Sequence, residues 1–150
     1  MPIRPATPVD TPQMRSLEQQ AETAAHWAER EYDALFAPEA PKRLALIADD
    51  GDAVSGFLIA RCDLDEWELE NVVVDPDRRR RGVGLQLVRE LLHQAAEAGA
   101  TSVLLEVRDS NLAARRLYEK LGFAETGRRL KYYENPREDA LLLKFSVSVL

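Results

Sequence analysis

Residues 72–87 read VVVDPDRRRRGVGLQL: an apolar run (Val72, Val73, Val74), a proline-bearing turn, four arginines, two spaced glycines and the opening of an amphipathic segment. A strand that ends in such a loop and passes straight into a helix leaves several backbone N–H groups unpaired at the helix N-terminus, beside the positive end of the helix dipole. Together they form a seat for a phosphate or pyrophosphate. Gly82 and Gly84 carry no Cβ, so a ligand can approach the backbone closely and the turn can adopt unusual dihedrals. The arginines add charge-assisted donors for phosphate oxygens. The stretch therefore implies an anionic, phosphate-bearing ligand.

Three phosphate-binding loops compete for this reading. A nucleoside triphosphate loop requires G-x-x-x-x-G-K-[ST], and Leu85, Gln86 and Leu87 follow Gly84 instead. A dinucleotide loop requires G-x-G-x-x-G, and Leu87 stands where the third glycine belongs. The spacing that fits is R-x-x-G-x-G, as Arg79, Gly82 and Gly84. The competing structural reading is a solvated basic turn or a short basic tract. In the order strand, loop, helix, the pattern resembles the acetyl-CoA pyrophosphate loop of the GNAT acetyltransferase superfamily.

Outward from the loop, residues 82–98 place Val83, Leu87, Val88, Leu91, Leu92, Ala95 and Ala96 at helical spacing, with Gly99 as a stop. Towards the N-terminus, strands are expected at 67–74, 53–62 and 44–48, the last two joined as a hairpin through the turn-rich Asp49 to Asp52. Residues 12–36 read as two helices broken near Glu22 to His26, after a short strand at 3–6. Towards the C-terminus follow a strand at 102–107, a helix at 111–121 ended by Gly122, and paired strands at 123–133 and 139–147. This order predicts one mixed α/β domain over residues 1–150.

The chain has 150 residues, 45% of them hydrophobic, enough to bury a sizeable core. Its net charge of −6 argues against general nucleic-acid affinity, because the arginine cluster is local. The lone Cys62 excludes an internal disulfide and suits a reducing cytoplasm. No apolar run approaches the length that spans a bilayer, and the start MPIR does not open a signal peptide, so no membrane partner is expected. His26 and His93 lack metal-ligand spacing, and no metal site is expected.

Glu106 lies inside the apolar run Val103 to Val107, where a carboxylate is costly unless it has partners or a task. Asn111 opens the next helix, and Tyr118 follows on the same helical face. The structural alternatives are a salt-bridged Glu106, a helix-capping Asn111 and a core Tyr118. The strings LLEVRDSN (104–111), AARRLYEKLGF (113–123) and KYYENPREDALLL (131–143), with the Arg79/Gly82/Gly84 loop, resemble the ribosomal-protein-alanine N-acetyltransferase family within the GNAT superfamily.

That resemblance implies the GNAT fold, a mixed and mostly antiparallel central sheet flanked by helices. It further implies acetyl-CoA bound along the backbone of Val72, Val73 and Val74. The pyrophosphate would lie on Arg79, Arg80, Arg81, Gly82, Val83, Gly84 and Leu85, with Asn111 on the pantetheine arm. Glu106 corresponds to the proton acceptor and Tyr118 to the proton donor, while Tyr132 and Tyr133 correspond to the aromatic pair enclosing a peptide N-terminus. The implied acceptor is the N-terminal amine of a ribosomal protein, met in the cytoplasm. The segment Ala24-Ala25-His26-Trp27 departs from the family pattern, which bears on the acceptor pocket alone.

Acetyl transfer requires a neutral amine. A peptide α-amine of pKa about 7.7–8.0 is roughly a tenth neutral at pH 7, whereas a lysine near 10.4 is neutral about once in a few thousand molecules. One carboxylate suits the α-amine better. Glu68 and Glu70 share a strand face and are expected to meet solvent or substrate, Glu70 as an acceptor contact, with the base role second. Cys62 has no histidine beside it, so direct attack is expected and an acyl-enzyme is not. Two other functions remain open at this point: acetylation of a small amine, and non-catalytic acyl-CoA binding.

Overall fold

The computed structural model describes residues 2–21, 29–37, 42–51, 53–78, 82–134 and 137–147. Among these, strands form at β1 (Ile3–Pro5), β2 (Arg43–Asp49), β3 (Val54–Asp63), β4 (Glu66–Val74), β5 (Ser102–Arg108), β6 (Ala124–Tyr133) and β7 (Glu138–Ser146). Helices form at α1 (Thr11–Gln20), α2 (Glu29–Ala34), α3 (Val83–Glu97) and α4 (Leu112–Leu121). Every expected element is present. The expected helix break at Glu22 to His26 lies outside the described residues, as does Trp27.

The strands make one sheet in the order β1-β2-β3-β4-β5-β7-β6. All neighbours are antiparallel except β4 and β5, which run parallel and are joined through the α3 crossover. This is the mixed, mostly antiparallel sheet that the resemblance implies.

Helix α3 buries Val83, Leu87, Val88, Leu91 and Ala95, the spacing that makes one face apolar. Each fully buried leucine contributes about 1.5–3 kcal/mol relative to exposure. The helix ends where Gly99 turns left-handed (φ +82°) and Ala100 N donates to the Ala95 carbonyl at 2.9 Å. With α4 it covers one sheet face, packing on Leu58, Trp67, Val103, Leu105 and Leu141. The other face packs Ile47, Phe57, Ile59 and Val73 against Met14 and Leu17 of α1 and Tyr32 of α2.

Gly56 on β3 sets how closely α3 lies on the sheet. A Cβ there would stand 2.8 Å from the Val73 carbonyl oxygen and 3.0 Å from Val83 Cγ1. The sequence reading gives this glycine no role, because the contact joins residues far apart in the chain.

The ladder between β4 and β5 covers only Glu66–Glu68 against Ser102–Leu104. Just beyond it, the β3–β4 register shifts: Ala60 faces Leu69 and Ile59 faces Asn71, leaving Glu70 as an extra residue in a β-bulge. A bulge bends its strand and increases local twist. Past this point β4 and β5 part, and a cavity opens between them.

Candidate active site

A cavity of about 750 Å³ occupies the parting of β4 and β5. Val72, Val73 and Val74 line it from β4, Glu106 and Arg108 from β5, and Gly82 to Leu85 from the start of α3. Asn111 and Tyr118 reach it from α4 and Tyr133 from β6. Residues from four separate sequence strings thus meet at one place.

The α3 end of the cavity follows from the backbone. Gly82 caps the helix with φ +76°, a left-handed conformation that suits glycine, and its carbonyl accepts from Gln86 N at 3.0 Å. The amides of Val83, Gly84 and Leu85 have no preceding helical turn to bond, which leaves them as donors for an anion. A Cβ on Gly84 would stand 3.3 Å from Leu117 Cδ1 and 3.7 Å from Val74 Cγ2, so the bare glycine lets α4 and β4 close around this turn. Arg79, Arg80 and Arg81 lie outside the described residues. Arg78 pairs with Asp50 and, at 4.0 Å, with Asp75, bracing the loop against the β2–β3 turn.

Glu106 differs from the sequence picture of a carboxylate sealed in apolar surroundings. Its neighbours Leu105 and Val107 are buried on one sheet face, while its own side chain is 25% exposed on the other. Oε1 lies 3.2 Å from Arg129 Nε on β6. Glu70 also carries a partner: Arg43 donates from Nε at 2.7 Å and from Nη2 at 3.2 Å, a two-point grip. Glu68, although exposed to solvent, is pushed up by partial desolvation and by the charges on Glu70 and Glu106. Three carboxylates therefore share this region of the sheet.

Tyr118 is 5% exposed, with its ring edge-on to Phe123 at 5.5 Å between centroids. Burial pushes its hydroxyl well above the ordinary tyrosine range, so it stays protonated throughout the neutral and mildly alkaline range. Asn111 caps α4, its Oδ1 accepting from Ala114 N at 3.2 Å. The capping alternative for Asn111 is thus realised, on a residue that also lines the cavity.

The tyrosine pair divides. Tyr133 lines the cavity beneath the Arg108 guanidinium, whose Cζ is 4.3 Å from the ring centroid. Burial and the Glu106 charge push its hydroxyl up to about 12. Tyr132 is half exposed and packs edge-on to Tyr133 at 5.2 Å, with Arg129 at 5.2 Å from its ring. Cys62 lies in the core on the α3 side, and burial pushes its thiol up, which disfavours a nucleophilic thiolate.

Sequence reasoning missed Arg43, Arg108, Arg129 and Glu138. Arg108 and Glu138 lie inside strings already singled out, and Arg108 also follows Glu106 by two residues, the strand period.

Residues 11–123 match the model of the acetyltransferase (GNAT) family. The chain belongs to the GNAT acetyltransferase family. It is 37% identical over 142 residues to the ribosomal protein bS18-alanine N-acetyltransferase of Salmonella typhimurium, covering 93% of each chain. The crystal structure of the Escherichia coli ribosomal-protein-alanine N-acetyltransferase superposes with a TM-score of 0.89 at 33% identity, over 99% of this chain and 95% of that one. An aminoglycoside 6′-N-acetyltransferase complexed with coenzyme A shares the fold, with a TM-score of 0.78 at 21% identity over 100% and 99% of the two chains. Among the described residues the central sheet is seven-stranded. Among the described residues of this GNAT chain, no helix is long and apolar enough to cross a membrane.

Proposed function

We propose that this acetyltransferase uses acetyl-CoA to acetylate the N-terminal alanine of a ribosomal protein, the counterpart of bS18. The observation that carries the reading is that Glu106 and Tyr118, from different elements, line one cavity with the donor-rich first turn of α3. The 37% identity to the bS18-alanine enzyme, spread over 93% of both chains, supports the acceptor.

The cavity suits the co-substrate. The amides of Val83, Gly84 and Leu85, with Arg79, Arg80 and Arg81, would hold the pyrophosphate, and the edge of Val72 to Val74 with Asn111 would hold the pantetheine arm. When bound, acetyl-CoA supplies an acetyl group activated as a thioester. Glu106 takes the proton from the attacking amine, directly or through one water. Tyr118 holds at Oη the proton that the departing sulfur requires, which its buried, protonated state makes available. Glu70, anchored by Arg43, and Tyr133 with Tyr132 contact the acceptor. A ribosomal acceptor is met in the cytoplasm, where a lone free thiol such as Cys62 also persists.

The test is mass spectrometry after incubating the protein with acetyl-CoA and peptides of differing N-termini, beside a panel of polyamines and aminoglycosides. Alanine-initiated peptides gain one acetyl group at the α-amine. Glu106→Gln and Tyr118→Phe each lower kcat about 10²–10⁴-fold, the usual range for losing a general acid or base. Turnover confined to small amines would replace this reading, and turnover unaffected by both substitutions would remove the assigned roles.

A further inference from the structure

Arg108 stands two residues beyond Glu106 and lines the same cavity. It reaches the end of the β6–β7 hairpin. Nη1 donates to Glu138 Oε2 at 3.3 Å, Nη2 donates to the Glu134 carbonyl at 3.2 Å, and the guanidinium lies over the Tyr133 ring. Glu138 is gripped a second time from the turn before α4: Ser110 N donates to Oε1 at 2.9 Å and Ser110 Oγ to Oε2 at 3.0 Å. The Arg108 and Glu138 side chains are only 15% and 14% exposed, so neither is a freely solvated surface charge.

The backbone explains why side chains are needed there. The β6–β7 register shifts between Arg129, opposite Ala140, and Tyr133, opposite Glu138. Within that gap Lys131 adopts φ +49°, and its N–H donates to the Asp139 side chain at 3.0 Å. Where the ladder is irregular, the hairpin end is fastened through Glu138 to β5 and to the turn preceding α4.

We propose that Arg108 and Glu138 form a latch that sets Tyr133 as the acceptor-side wall of the cavity. Arg108 is thereby a positioning residue for acceptor binding. The inference rests on the acetyl-transfer reading above for its kinetic consequence, and on the geometry alone for its structural one.

Two measurements test it. In the first, Arg108→Met raises KM for an alanine-initiated peptide about tenfold, the loss of one charge-assisted contact. Calorimetry shows acetyl-CoA affinity changed by less than about twofold, and kcat falls much less than KM rises. Arg108→Lys recovers part of the loss, because it keeps charge towards Glu138 but not the planar stacking or the second bond. Glu138→Ala acts in the same direction, and the double variant is no worse than the poorer single one. An unchanged peptide KM, an equal loss for both substrates, or multiplying effects in the double variant would each overturn the latch.

In the second, amide hydrogen exchange across Lys131 to Tyr133 accelerates at least about tenfold in Arg108→Met and Glu138→Ala, while Val103 to Val107 is unchanged. Unaltered exchange at the hairpin overturns the latch whichever amine is acetylated. A wild-type enzyme inert towards the peptide overturns the acceptor assignment alone, since exchange still reports the latch.

Discussion

In the proposed reaction two side chains handle the protons, and their surroundings differ. Glu106 is partly solvated and paired with Arg129, whereas Tyr118 is buried against Phe123 and remains protonated. The pH dependence follows. Rate should rise towards pH 8 as the α-amine, of pKa about 7.7–8.0, loses its proton. Because the folded value of Tyr118 lies above the ordinary 10.0, loss of the donor's proton cannot produce a falling limb below pH 10. A kcat/KM profile from pH 6 to 10 should therefore climb to a plateau, and a decline centred near pH 9 would count against Tyr118 as donor. At this scale the residues that line the cavity are legible: a carboxylate in a strand, an asparagine at a helix start and a phenol one helical face on are local patterns. Their partners are not. Arg43 lies 27 residues from Glu70 and Arg129 lies 23 from Glu106, and nothing in the local sequence couples them.

Helices and strands are readable from apolar spacing, but the contacts that seat them depend on tertiary neighbours. Gly56 is the clearest case. Gly56→Ala should cost about 1–3 kcal/mol, the range for overpacking a close contact, because the new methyl meets backbone at Val73 as well as Val83. Lifting α3 at Val83 also moves the proposed pyrophosphate-binding turn away from β4, so acetyl-CoA affinity should fall together with the denaturation midpoint. A loss of stability below about 0.5 kcal/mol would mean that the helix yields freely. Asp10, at the start of α1, presents a second case. It is buried and accepts from both Arg4 Nη atoms at 2.8 Å and from Thr7 N at 2.8 Å. Chiefly through Arg4, its carboxyl is held below the ordinary range. A depressed carboxyl contributes stability that is full above the unfolded value of 3.8 and is lost as pH falls through the folded value. Asp10→Asn should therefore destabilise by about 1–3 kcal/mol at pH 7, with the gap from wild type narrowing below pH 4. Urea midpoints at pH 7 and pH 3.5 check this, and a gap independent of pH would refute it.

Across the whole molecule, β1–β4 with α1–α3 forms one part and β5–β7 with α4 the other, and the sheet joins them through the short ladder of Glu66–Glu68 with Ser102–Leu104. Hairpin pairings such as β2–β3 and β6–β7 announce themselves in sequence through their turns. The insertion of β7 between β5 and β6, and the parting beyond Leu104, have no local signature because they arise from the bulge at Glu70 and from long-range register. A ligand that hydrogen-bonds to both facing edges would complete the sheet where its own ladder stops. Binding should then stabilise the molecule globally: at a hundredfold excess over Kd, mass action adds about 2.7 kcal/mol. For a chain of this size that raises Tm by roughly 5–10 °C. Amides of 69–74 should gain exchange protection at the same time, while Glu66 to Glu68, already paired with β5, change little. Gly84→Glu and Gly82→Glu set a carboxylate at the donor-rich turn, and both should abolish the shift while the unliganded proteins still melt cooperatively. Should either variant keep the full shift, the pyrophosphate is not held at the start of α3, and the two parts must be bridged elsewhere.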